Sequence, residues 1–122
     1  MATEVVYMNP VFISQYETQL TYVRAWDYKS DALAAPGDGD AVLIPPGSLD
    51  VQVTLIPTAG SGKIQATYDP YADVLADPDA VNWVDWDAGV VAAITQDSVK
   101  GPSAIRQVNV SGSTVMTIIV HR

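Results

Sequence analysis

The chain has 122 residues, no cysteine, and 14 acidic against 6 basic side chains, for a net charge of −8. Its composition excludes disulfides and thiolate metal sites. Arg24, Lys29, Lys63, Lys100, Arg106 and Arg122 are scattered rather than clustered, so no direct nucleic-acid partner is expected, because phosphate neutralisation needs grouped cations.

Hydrophobic residues make up 48% and charged residues 16%, less charge than the roughly 25% usual in a soluble domain. The longest apolar run, Val115 to Val120, is interrupted by a threonine and has only strand length. A membrane-spanning helix needs about 20 apolar residues, so no membrane partner is expected. No basic segment followed by an apolar one is read at Met1, so no secretory leader is expected. The acidity opposes random association; its sharper reading is a partner with a basic surface.

Two regions differ in character, residues 1–48 and 49–122. The first is rich in aromatics, with Tyr7, Phe12, Tyr16, Tyr22, Trp26 and Tyr28 within its first 28 residues. Glu4 to Met8 reads as a short strand ended by Asn9-Pro10. Gln19 to Tyr28 alternates and is rich in aromatic and β-branched residues, which suits a strand. Ala34 to Asp40 is a loop by its Pro, Gly and Asp content, and Ala41 to Ile44 is a short apolar strand closed by Pro45-Pro46-Gly47. The aromatic stretch has two readings: its rings fill the chain's own core, or they form an arm or added layer that packs on another subunit. Tyr and Trp are common at interfaces.

In the second region, Leu49, Val51, Val53 and Leu55 alternate with polar residues, a strand with one buried face. Pro57 reads as its end, Thr58 to Gly62 as a hairpin loop, and Lys63 to Tyr68 as the returning strand. Asp69 to Asp79 is the one helical stretch, with Asp69 as cap and Pro70 as first helical residue. Asn82 to Trp86 and Val90 to Thr95 read as strands, and Gln96 to Pro102 as a connecting loop. Ser111-Gly112-Ser113 reads as the turn of a terminal hairpin, with Ile105, Val108 and Val110 before it and Val115, Ile118 and Val120 after it. The expected fold is all-β: an antiparallel β-sandwich or barrel of about seven to eight short strands, with an extended N-terminal region. Ile118, Ile119 and Val120 make both faces of the last strand apolar, so Ile119 needs cover from the aromatic region or from a neighbouring subunit.

Few constellations carry chemistry. The single histidine, His121, lies beside the carboxy terminus and reads as the polar end of a strand rather than a catalytic base. Asp85 and Asp87 share a strand face with Trp83, which offers paired carboxylates for glycoside chemistry or a sugar platform; solvated acids beside a core tryptophan are the plainer reading. Asp38-Gly-Asp40 and Asp77-Pro-Asp79 are fragments of calcium-loop chemistry without the remaining ligands. Gly60-Ser-Gly-Lys63 fails the phosphate-loop pattern, with Pro57 and Ile64 at decisive positions. No catalytic group, cofactor or metal is assigned.

Four stretches carry a resemblance: Leu49-Asp-Val-Gln-Val-Thr-Leu, Gly62-Lys-Ile-Gln-Ala-Thr, Trp83-Val-Asp-Trp-Asp-Ala-Gly-Val-Val-Ala-Ala-Ile-Thr, and Gly101-Pro-Ser-Ala-Ile-Arg-Gln-Val-Asn-Val-Ser-Gly. In style and order, residues 49–122 resemble small virion structural proteins of tailed bacteriophages. The resemblance implies a non-enzymatic structural part in the particle, with head decoration (cement) proteins, head fibres and tail components as candidates, and the first is favoured: a decoration protein made in the host cytoplasm and carried on the capsid surface. Its partners would be the major capsid protein and further copies of itself, as a homotrimer. Tyr7, Phe12, Tyr16, Tyr22, Trp26, Tyr28 and Ile119 are the residues expected at interfaces. The rival readings are a tail or fibre component that binds a host surface glycan through Trp83 and Trp86, and a glycosidase that uses Asp85 and Asp87.

Overall fold

A computed structural model describes residues 4–13, 22–47 and 50–121. Its elements are β1 (Val5–Tyr7), β2 (Asn9–Ile13), β3 (Tyr22–Lys29), β4 (Gly37–Asp38), β5 (Ala41–Leu43), β6 (Asp50–Thr67), α1 (Tyr71–Ala76), β7 (Trp83–Asp85), β8 (Thr95–Lys100) and β9 (Ala104–His121). The nine described strands form one nearly closed, barrel-like sheet with a single short helix. All-β is therefore right. The sheet is mixed rather than purely antiparallel, because β1 lies parallel to β5. The strands are also not uniformly short, since β6 and β9 have 18 residues each.

These two long strands organise everything else. They pair antiparallel from Val51 opposite Val120 to Thr67 opposite Ala104. Their outer neighbours change halfway along. β8 flanks β6 from Asp50 to Leu55, and β7 flanks it from Gln65 to Thr67. β5 and β4 flank the first half of β9, and β3 flanks its last five residues, Thr117 to His121. One ribbon thus serves two halves of the sheet and bends between them to enclose the core.

The bend is written in the phase of the apolar residues. Along β6 the buried positions facing the main core are Val51, Val53 and Leu55, then Gly62, Ile64 and Ala66. Along β9 they include Ile105, Gln107 and Asn109, then Thr114, Met116, Ile118 and Val120. The set facing the main core passes from odd to even numbers in both strands, while Thr67, Ala104 and Arg106 are buried in the opposite phase. A one-residue slip turns a strand over, so an extra residue must be absorbed in each. The register shifts at Thr58, Ser61 and Gly62, opposite Ser113, Ser111 and Asn109, and supplies it as a bulge that sharpens the bend. Both flanks keep the same inner face. The burial of Val51, Val53, Leu55, Ile64, Ile105, Ile118 and Val120 contributes about 1.5–3 kcal/mol per side chain.

Two expected turns are corrected here. Thr58 to Gly62 and Ser111 to Ser113 do not reverse the chain. They face each other as the two sides of one bend: the Ser61 N–H donates to Ser111 Oγ at 3.2 Å, and Thr58 pairs with Ser113. Pro57 does not end its strand either. β8 stops opposite Leu55, and beyond that point a residue without an N–H is tolerated.

Other boundaries move for similar reasons. Thr95 to Lys100, expected as loop from Gln96 onward, is the edge strand β8; with one partner strand and only Val99 buried, it needs little apolar content. Residues 90–94, expected as strand, form a loop held by one bridge between Gly62 and Val91. Asp69 does not cap α1. Pro70 holds the cap position without a side-chain hydrogen bond, and the Asp69 carboxylate accepts instead from the Asn82 N–H at 2.9 Å. Six residues make a marginal helix. This one is held by buried Val74 in a small second core with Leu43, Val81 and Ala104, and by Tyr71, whose hydroxyl donates to the Ile44 carbonyl at 2.6 Å. Leu49 lies outside the described residues.

Candidate interaction surface

Polar side chains near the expected chemistry are engaged with one another. Asp85 ends β7 across from Lys63 and Gln65 on β6. Lys63 Nζ lies 3.0 Å from one carboxylate oxygen, and Gln65 Nε2 donates at 2.9 Å. The Gln65 and Lys63 hydrogen bonds hold the Asp85 carboxyl below the usual carboxylate range, the opposite of what a general acid needs. The folded-state pKa is depressed, so the contribution to stability is complete above the ordinary aspartate value. It is lost as pH falls through the lowered value. With Asp85 about half exposed, the gain is under about 1 kcal/mol. Wild type is expected to lose more stability than Asp85→Asn on acidification below about pH 4, read as urea midpoints. Parallel midpoints would refute the pairing.

The two tryptophans expected to form a sugar platform are separated in role. Trp86 is buried in the main core and its indole N–H donates to the Gly89 carbonyl at 2.6 Å. Trp83 is half-buried against the second core, donates to the Pro78 carbonyl at 2.9 Å, and carries the Arg106 guanidinium over its ring at 4.4 Å. Arg106 also donates to Gln65 and pairs with Asp38.

Two hollows are acid-lined. A groove of about 380 Å³ lies between β7 and β8, with Tyr68, Val84, Asp85, Asp87, Asp97 and Lys100 among its lining. A second, of about 290 Å³, gathers Glu4, Asp31, Asp38 and Asp40 around Tyr28. Burial, then Asp40 and Asp31, push the Tyr28 phenol up. The floor is a closed polar relay in which Gln107 donates to Ser30 Oγ and accepts from Thr114. Among the described residues no group of three or more His, Cys, Asp or Glu is placed to hold a metal ion; this covers Asp38-Gly-Asp40 and Asp77-Pro-Asp79.

The residues expected at interfaces are dispersed. Tyr7 on β1 is 68% exposed. Trp26 and Tyr28 pack against the chain's own main core. Ile119 is 39% exposed, with Asp27 and Gln52 opposite it on either side. Tyr16 lies outside the described residues, as do the side chains of Phe12, Tyr22 and His121. The backbone of His121 pairs with Ala25.

Composition did not single out the loop after β7. There Val90 and Ile94 are 58% and 70% exposed, and Ala92 and Ala93 are exposed between them. The signal was present as an unbroken apolar run, Val90 to Ile94, which reads equally well as a buried strand. No protein-family model, curated protein or solved structure matches the chain.

Proposed function

We propose that this chain is a structural protein of a bacteriophage particle: a decoration protein that binds the major capsid protein, associates with copies of itself as a trimer, and stiffens the head shell without a catalytic step or cofactor. The observation that carries this reading is the division of labour among side chains. Asp85, Arg106, Gln107 and Thr114 spend their polar groups on internal partners. Large apolar side chains such as Tyr7, Tyr68, Val84, Val90 and Ile94 face solvent. A bent ribbon with an enclosed core is stiff, and a stiff body with apolar projections suits adhesion rather than turnover. On a shell, many modest contacts add through multivalency, and binding to the assembled form stabilises it by mass action.

The test is addition of the purified protein to shells that lack it. Binding is expected to saturate at a copy number set by the shell's symmetry and to raise the temperature at which the shells open. Failure to bind at micromolar concentration overturns the reading. Binding to host surface polysaccharide instead would assign the chain to the tail or fibre.

A further inference from the structure

The loop after β7 is apolar and exposed, yet firmly held. Val91 and Gly62 exchange backbone hydrogen bonds of 2.8 and 3.0 Å, and the Gly89 N–H donates to the Trp86 carbonyl at 3.1 Å. The Trp86 indole N–H closes on the Gly89 carbonyl, and Thr95 Oγ1 donates to the Ala93 carbonyl at 2.9 Å. Val91 turns inward onto the main core, which sends Val90 outward. On the far side of β6, Asn109 is opposite Gly62 and faces inward, so Val110 emerges on the outer face, 45% exposed. The outside of the bend is thus a preformed corner bearing Val90, Ala92, Ala93, Ile94 and Val110. Ordering these groups on binding costs little, because they are already ordered.

We propose that this corner is the contact through which copies of the chain associate. Charge identifies the occupant. The chain carries −8, yet the segments that bear the corner, residues 58–62, 88–96 and 107–113, contain no Asp, Glu, Lys or Arg, and the nearest loop acids, Asp87 and Asp97, lie at its two ends and line the groove between β7 and β8. Two copies of a strongly acidic protein repel wherever their charges approach, so the corner is where they meet at least electrostatic cost. A basic partner would be drawn to the acid-lined groove beside the loop rather than to the apolar corner itself. A loop that lies at a membrane surface carries aromatic or basic residues to anchor it, and residues 88–96 have neither. The inference does not depend on the shell reading, since it concerns the purified chain alone.

Sedimentation velocity on the full chain between about 1 and 100 µM tests it. Wild type is expected to show concentration-dependent association. Ile94→Asp and Val90→Asp are each expected to weaken it at least about tenfold while leaving circular dichroism and thermal unfolding nearly unchanged, since both side chains are exposed. Added salt is expected to tighten association in wild type, because it screens the repulsion between acidic copies. A wild type that stays monomeric across the range, variants that associate like wild type, or association that weakens with salt would each overturn the proposal.

Discussion

Gly112→Ala is expected to destabilise the protein by at least about 3 kcal/mol, and Gly89→Ala by only about 1–2 kcal/mol. Both glycines are left-handed, at φ +69 and +66, so both substitutions incur the same backbone strain. They differ in surroundings. A Cβ on Gly112 would stand 2.5 Å from the Ala59 carbonyl oxygen and 2.7 Å from that of Thr58, whereas a Cβ on Gly89 meets nothing within 4 Å. The excess at Gly112 therefore reports how closely the two strands approach at the bend. Relief requires the backbone itself to move. Ala59 is already left-handed at φ 55, and across the bend a Cβ on Gly60 would run into the Ser111 carbonyl. Neither side has slack. Urea and thermal unfolding measure both variants, with each kcal/mol worth about 4 °C at this size. Equal losses at the two positions would mean that the segments do not face each other.

The second large effect is expected at Arg106. Its replacement by alanine should cost about 2–3 kcal/mol, while Asp38→Ala should cost less than about 1 kcal/mol. Arg106 is 8% exposed, stacks over Trp83 at 4.4 Å, and donates from Nε to Gln65 Oε1 at 2.9 Å. Its ion pair with Asp38 is longer, at 3.4 Å, and the aspartate is 43% exposed, so solvent screens that contact. Burial lowers the Arg106 pKa, and Asp38 and Asp79 oppose the shift. Losing the guanidinium removes packing from Trp83 and leaves the Gln65 oxygen without this donor, which joins β9 to β6. Near-ultraviolet circular dichroism should register the altered tryptophan environment. A larger loss at Asp38 than at Arg106 would place the energy in the ion pair instead of the stack.

Much of the fold is legible in local pattern. The alternation of Val51, Val53 and Leu55 marks a half-buried strand, and the aromatic alternation ending at Tyr28 marks another; both are present as β6 and β3. Trp83 to Asp85 and Ala41 to Leu43 are also strands. The polar edge strand β8 is less legible, because a strand with one partner and one buried residue carries almost no apolar signal. Gln107, Asn109 and Thr114 are core residues that hydropathy places on the surface. Ser30 and Leu33 arrive from far along the chain to accept from Gln107 and Asn109, and Thr114 donates to Gln107, partners that no local pattern reveals.

The candidate surface follows the same rule. Val90 to Ile94 is an apolar run whichever side it faces, and only the bridge from Val91 to Gly62 shows that its neighbours point outward. The aromatic residues near the start of the chain looked more adhesive, yet Trp26 and Tyr28 lie on the core.

By itself, the sequence determined the β character of the chain, the inward faces of the two halves of β6, the lack of thiol chemistry and the strongly acidic composition. These are properties of composition and of a two-residue period, which any short window of chain carries. Tertiary structure alone decided that two Gly-Ser segments bend a ribbon rather than end two hairpins. Glycine and serine permit either path equally. The choice lies in which partner each strand finds, and the pairing of β6 with β9 along their full length outweighs two separate hairpins because it buries both phases of the apolar pattern in one core.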